Sequence, residues 1–168
     1  NLERLIYLIC GEDSEKTKEL MEELKTPGKY TITPEMKEKL ADFAAGYSTE
    51  EETAESIHDT YQKTGYVMDT HTAVAAHVCG QYRAKSGDQT KCVIASTASP
   101  YKFVKSVMSA IDAENANADE FNLLPKLQEV SGVPMPQAIK DILDAKVLHD
   151  LECDADKMKD TVKGILGV

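Results

Sequence analysis

The chain has 168 residues, a length that suits one domain or part of a larger one. Its composition, 42% hydrophobic and 29% charged, is that of a globular protein and excludes collagen-like, disordered and disulfide-dense classes. Lys and Arg number 19 against 29 Asp and Glu, so the formal charge of −10 argues against nucleic acid and anionic membrane surfaces as partners.

In chain order, Asn1 is placed to cap a short helix with an apolar face of Leu2, Leu5, Ile6 and Ile9, ending at Gly11. The apolar run Leu5 to Cys10 is far shorter than the roughly 20 residues of a membrane helix. It also lacks the flanks of a signal peptide. Opening on Asn1, already inside a helical pattern, the chain reads as one cut from something longer. Asp13 or Ser14 starts a charged helix to about Leu24, and Pro27-Gly28 marks a turn. Lys29 to Thr33 favours a short strand. Thr33-Pro34 opens a helix whose stripe is Met36, Leu40 and Phe43. Ser48 and Glu51 form a capping box for a helix to about Gln62. Gly65 to Met68 is a strand candidate, followed by a long Ala/Val helix to about Arg83. Lys91 to Ala95 reads as a buried strand, and Ser96 to Pro100 turns it into another helix. After Asp112 come a polar connection and further helices, broken near Gly132–Pro136 and Cys153–Asp156.

Two segments therefore share one plan of strand, small polar turn and helix, the arrangement by which parallel α/β sheets place ligands at strand ends. Each turn gathers hydroxyls, and the first adds the carboxylate of Asp69. Helix capping by Asp69, Thr72, Ser96 or Ser99 explains the same residue types. Two strands are too few for a whole α/β domain, so most of the sheet is expected elsewhere.

Other patterns carry less. Ser99 to Lys102 fits SxxK and Lys63-Thr64-Gly65 fits KTG, but the order is reversed relative to serine acyltransferases. His71, His77 and Cys79 lack the three- or four-residue spacing that puts metal ligands on one helix face. Asp150, Asp154 and Asp156 lack the Gly and the spacing of a calcium loop and read as an acidic helix-capping turn. Glu50 to Glu52 suits a helix first turn. Cys10, Cys79, Cys92 and Cys153 are scattered without a CxxC pair, the pattern of free thiols in a reducing cytoplasm. No residue is assigned as catalytic and none as a metal ligand.

Several blocks together carry a resemblance. Asn1-Leu2-Glu3-Arg4-Leu5, Asp69-Thr70-His71-Thr72-Ala73-Val74-Ala75, Tyr82-Arg83 and Ser96-Thr97-Ala98-Ser99-Pro100-Tyr101-Lys102-Phe103 resemble, in order and rough spacing, segments of threonine synthases. The resemblance is good over about 1–110 and loose beyond Asp112. Thr70 stands where that family usually has Pro, and Ser99 where His is frequent.

The resemblance implies an α/β, helix-rich fold: part of a three-layer domain of the tryptophan-synthase-β-like type, with a few short strands. It divides into a helical insertion at about 13–62, a sheet-contributing core at about 63–112 and a helical tail at about 113–168. It implies a pyridoxal 5'-phosphate (PLP) enzyme converting O-phosphohomoserine and water to threonine and phosphate. The Schiff-base lysine and Gly-rich phosphate loop would lie upstream, so this chain would be the carboxyl-terminal part, inert alone, with the rest of the enzyme as its partner. Thr97 would bond the cofactor's pyridine nitrogen, Ser96 would flank its ring, and Asp69 would close the pocket or cap the next helix. Lys102 would face solvent or an acidic neighbour. If the sheet continues elsewhere, an exposed apolar patch is expected along Val67, Val93 and Ile94.

Overall fold

The structure, a computed structural model, describes residues 1–148 and 150–168. The first three helices are α1 (Leu2–Ile9), α2 (Ser14–Lys25) and α3 (Pro34–Glu38). Asp13 caps α2 by accepting a hydrogen bond from the Lys16 amide at 2.9 Å, and Thr33 caps α3 with Pro34 at its first turn. Their inward faces bring Ile6, Ile9, Leu20 and Met36 into one small buried cluster. The expected stripe Met36–Leu40–Phe43 breaks early. The amides of Leu40, Ala41 and Phe43 bond carbonyls three residues back, so the helix tightens into turns and Phe43 is left exposed.

Helix α4 (Glu50–Thr64) begins one residue later than Ser48 and Glu51 predict. The capping box is Thr49 with Glu52: the Thr49 hydroxyl accepts from the Glu52 amide at 3.2 Å, and the Glu52 carboxylate accepts from the Thr49 amide at 2.8 Å. Ser48 instead contacts the Thr53 hydroxyl at 3.0 Å. Thr49→Ala is expected to cost about 1 kcal/mol of stability, readable as a lower denaturation midpoint. Thr49→Ser, which keeps the hydroxyl, should restore most of it; equal losses in the two variants would remove the cap from the account. Gly65 ends the helix at φ +74°, a left-handed conformation costly for other residues.

A larger core follows. Helix α5 (Thr70–Ser86) packs on α4, and α6 (Val104–Ile111) packs on α4 and on α7 (Glu120–Ser131). Ile57, Val107, Leu123 and Leu127 are almost wholly buried there, with Val67, Met68, Ala73, Tyr101 and Met108 around them. Thus α4, most of which falls in 13–62, supplies Ile57 to this core, and α7, which falls in 113–168, supplies three leucines. Gly46 lets the chain before α4 close on α5, since a Cβ there would stand 2.9 Å from a Val78 methyl carbon. Helices α8 (Gln137–Leu143) and α9 (Met158–Leu166) bury no residue fully, although Ile139 rests against the core.

The expected strands do not form. Among the described residues there is no strand, so the fold is helix-rich without the few short strands that the sequence suggests. A ladder needs a neighbouring backbone, and Lys29–Thr33, Gly65–Met68 and Lys91–Ala95 pair with none here. The expected apolar edge is present only in part. Val93 is 88% exposed and Ile94 38%, but Val67 is turned into the core at 6%.

Candidate functional site

The candidate site lies where α5 begins and where the segment 91–99 returns beside it. The backbone of Asp69 is extended, which leaves its side chain free to cap α5. One carboxylate oxygen, Oδ1, accepts from the amides of His71 at 2.9 Å and Thr72 at 3.2 Å. The other, Oδ2, accepts from the Thr72 hydroxyl and, at 3.4 Å, from the Ser96 hydroxyl. Thr72 Oγ1 and Ser96 Oγ are themselves 3.0 Å apart, so the three side chains close a triangle.

Asp69 is nearly inaccessible. Burial alone pushes its carboxyl upward, but the hydrogen bonds from Thr72, His71 and Ser96 together outweigh it and hold the group below the usual carboxylate range. A buried anion with four donors is poorly suited to accept a proton. Its work is to fasten the turn at Ser96 to the start of α5.

The segment 91–99 is tied to α5 further along as well. Arg83 donates to the Thr90 carbonyl, and Cys79 Sγ lies 3.0 Å from Cys92 Sγ. The next residue after the anchored Ser96, Thr97, is exposed, and among the described residues no hydrogen bond reaches its hydroxyl. Ser96, Ala98 and Ser99 border a cleft of about 260 Å³ with Tyr66 and Tyr101 on its other walls. Ser99 caps the 3-10 turn Pro100–Phe103 through the Tyr101 amide at 3.3 Å. The phenol of Tyr101 donates to the Val133 carbonyl at 2.5 Å and, with burial as the main cause, is held above the ordinary tyrosine value.

The structure thus brings Asp69 and Ser96 together with Thr97 beside them. It adds Thr72, which the sequence offers only as a helix cap. His71 stays at the surface, its ring centroid 4.9 Å from that of Phe103. His77 faces elsewhere: its Nε2 lies 2.9 Å from the Gln81 amide nitrogen and 3.6 Å from Glu52, bracing α5 against the start of α4. Among the described residues no group of three His, Cys, Asp or Glu is placed to hold a metal. Lys63 is engaged with Asp59 at 2.7 Å, and Lys102 is exposed near the Phe103 ring. Neither is drawn into a serine-acyltransferase arrangement with Ser99.

The family model for the carboxyl-terminal part of threonine synthase matches residues 72–162, more than half of the chain. The chain belongs to the threonine synthase C-terminal family. Ser96, Thr97, Cys79 and Cys92 all fall inside the matched stretch, and Asp69 lies just before it. Human threonine synthase-like 1 is 32% identical over 139 residues, which is 77% of this chain and 18% of that protein. Threonine synthase of Saccharomyces cerevisiae is 29% identical over 176 residues, covering 95% of this chain and 34% of the yeast protein. A crystal structure of PLP-bound threonine synthase from Brucella melitensis aligns with a TM-score of 0.57 at 30% identity, over 87% of this chain and 27% of that one. This threonine synthase portion therefore spans between about a fifth and a third of these relatives.

Proposed function

We propose that this chain is the carboxyl-terminal part of a threonine synthase that uses PLP to convert O-phosphohomoserine and water to threonine and phosphate. The observation that carries the reading is the hydroxyl of Thr97. It is exposed, has no hydrogen-bond partner among the described residues, and sits on a turn anchored through Ser96 to buried Asp69. Such a hydroxyl fits the pyridine nitrogen of the cofactor. The chain fits that end only, because its nine glycines are scattered and form no phosphate cradle.

When bound, the cofactor supplies an electron sink for the substrate's reacting carbons. The residues of this chain orient it. Thr97 would donate to the ring nitrogen as a neutral partner, which suits an unprotonated nitrogen. Ser96 would border the ring, and Asp69 holds the turn in place through Thr72 and Ser96. The lysine that binds the cofactor and the phosphate loop come from the rest of the enzyme, this chain's partner, which also covers the exposed edge at Val93. Apart from it the chain is inert. Its scattered free thiols suit a reducing cytoplasm as the place where the enzyme works. Among the described residues no helix is long and apolar enough to cross a membrane.

Human and mouse relatives bear the name threonine synthase-like 1, which favours a second reading: the same scaffold serving another PLP-dependent reaction. The test is threonine and phosphate release from O-phosphohomoserine by the full-length enzyme and by the 168-residue chain alone. The full-length enzyme is expected to be active and the chain alone inactive. Thr97→Val in the full-length enzyme should lower kcat about tenfold, close to the value of one hydrogen bond, while Thr97→Ser keeps most of it. Full activity in Thr97→Val removes Thr97 from the site. A full-length enzyme that binds PLP but releases no phosphate points to the second reading.

A further inference from the structure

We propose that Cys79 and Cys92 are a redox-active pair that closes into an intramolecular disulfide, tying the segment 91–99 to α5. The four cysteines are scattered in sequence, and all are free thiols in this structure. Folding treats them differently. Cys79 sits on the flank of α5, and Cys92 opens the run that returns along it, so residues 13 apart bring their sulfurs to 3.0 Å. Carbon atoms in ordinary contact stand about 3.5–4.0 Å apart. Sulfur is the larger atom, so this contact is tight, and an approach of about 1 Å would reach bonding distance.

The other two thiols have no such neighbour among the described residues. Cys10 Sγ is engaged with the Thr17 hydroxyl at 3.2 Å, and Cys153 is exposed. In this chain the Cys79–Cys92 pair is also accessible, from the side of the segment that faces α5. Both residues line an open groove of about 610 Å³ with Val78, Gln81, Tyr82 and Gly46, large enough to admit a small oxidant. Cys79 is held above the ordinary thiol value, first by its hydrogen bond to Cys92 and then by burial, while the Arg83 guanidinium pulls the other way. Cys79 is the donor of that bond, and the more exposed Cys92 is the sulfur an oxidant meets first.

Hydrogen peroxide supplies the oxidising equivalents. The Cys92 sulfur attacks one peroxide oxygen, the O–O bond breaks, one water leaves and Cys92 becomes a sulfenic acid. The Cys79 sulfur then attacks the Cys92 sulfur, the S–O bond breaks, and the hydroxyl leaves as a second water with the Cys79 proton. Two thiols are oxidised by two electrons in all, and one peroxide is reduced to two waters. A dithiol reverses the bond by exchange.

The bond would close the far end of a unit whose near end is already fastened by Asp69, Thr72 and Ser96. It would restrict the turn that carries Thr97. Formation of the bond does not depend on the reaction proposed above.

The test is peptide mapping of the full-length enzyme after brief hydrogen peroxide treatment, with alkylation of remaining thiols and trypsin digestion. The expected product links peptides 64–83 and 92–102, lighter by two hydrogens than the sum of the two, and disappears after dithiothreitol. Cys92→Ser should abolish it, and Cys153→Ser should leave it intact. Three outcomes overturn the proposal: Cys79 and Cys92 recovered only as separately alkylated thiols, each oxidised alone to higher acids, or Cys79 linked to Cys10 or Cys153 as often as to Cys92.

Discussion

Asp69→Ala is expected to destabilise the chain by about 3 kcal/mol and lower its melting temperature by about 10 °C. The carboxylate caps α5 and holds the Ser96 turn at once, so its loss is felt twice. Removing a helix cap costs about 1–2 kcal/mol. The amide and hydroxyl of Thr72 are also left without their acceptor in a buried position, which costs about 1–3 kcal/mol more and overlaps with the cap. The His71 amide is less affected because water reaches that side chain's surroundings.

Asp69→Asn separates shape from charge. The amide side chain keeps one oxygen for the backbone donors but loses the negative charge that the hydroxyls bond. The pH dependence has a definite sign. The folded-state carboxyl lies below its unfolded value of about 3.9, so its contribution is fully present above that pH and is lost as pH falls through the folded value. The wild-type advantage over Asp69→Asn should therefore be greatest near neutral pH and shrink in acid below pH 4. Thermal unfolding of the three proteins at pH 7 and at several points below pH 4 measures it. An advantage that stays constant across that range, or an Asp69→Ala loss within about 0.5 kcal/mol, would show that the carboxylate does not anchor the turn.

Much of this site was legible as capping. Asp69 and Ser99 act as caps and Thr33-Pro34 opens α3, whereas Gly65, read as the start of a strand, instead ends α4 in the left-handed conformation. These signals are local, each needing only a few residues of backbone. The capping box was misplaced by one residue because Ser48/Glu51 and Thr49/Glu52 both satisfy the pattern, and only the Ser48–Thr53 contact separates them. The strands expected from the sequence do not form. Val93 and Ile94 have strand-forming side chains, but a strand is a relation between two backbones, and among the described residues no second one pairs with theirs. Val67 was expected at an edge, yet the packing of α4 against α5 and α6 makes a core that takes it in. The Cys79–Cys92 contact has no sequence signature at all, since it depends on how the segment 91–99 folds back along α5. Thr97 was reached only through the resemblance, for an exposed threonine after a run of apolar residues has no distinctive physical mark.

Leu127→Ala and Leu20→Ala are expected to differ in reach although both remove a leucine almost wholly buried. Leu127 stands at the centre of the larger cluster with Ile57, Val107 and Leu123, drawn from α4, α6 and α7. Truncating it should cost about 3 kcal/mol, the middle of the usual range for such a cavity. Leu20 belongs to the small cluster of α1–α3, whose buried members are only Ile6, Ile9, Leu20 and Met36. Helix α1 packs mainly on α2, while α4, α5, α6 and α7 pack on one another. Opening of the small cluster can therefore proceed with the larger one intact. In hydrogen exchange, Leu127→Ala should speed the slowest amides of α4–α7 by about 100-fold, the factor that corresponds to about 3 kcal/mol. Leu20→Ala should speed the amides of α1 and α2 by a similar factor and leave those of α4–α7 within about threefold of wild type. Equal acceleration of both groups by Leu20→Ala would mean that the clusters open as one. The turn with Thr97 would then inherit any weakness of the amino-terminal helices. With separate opening, that turn keeps its anchor in Asp69 when α1–α3 come apart, because Asp69, Thr72 and Ser96 bond one another at the start of α5, which packs on α4.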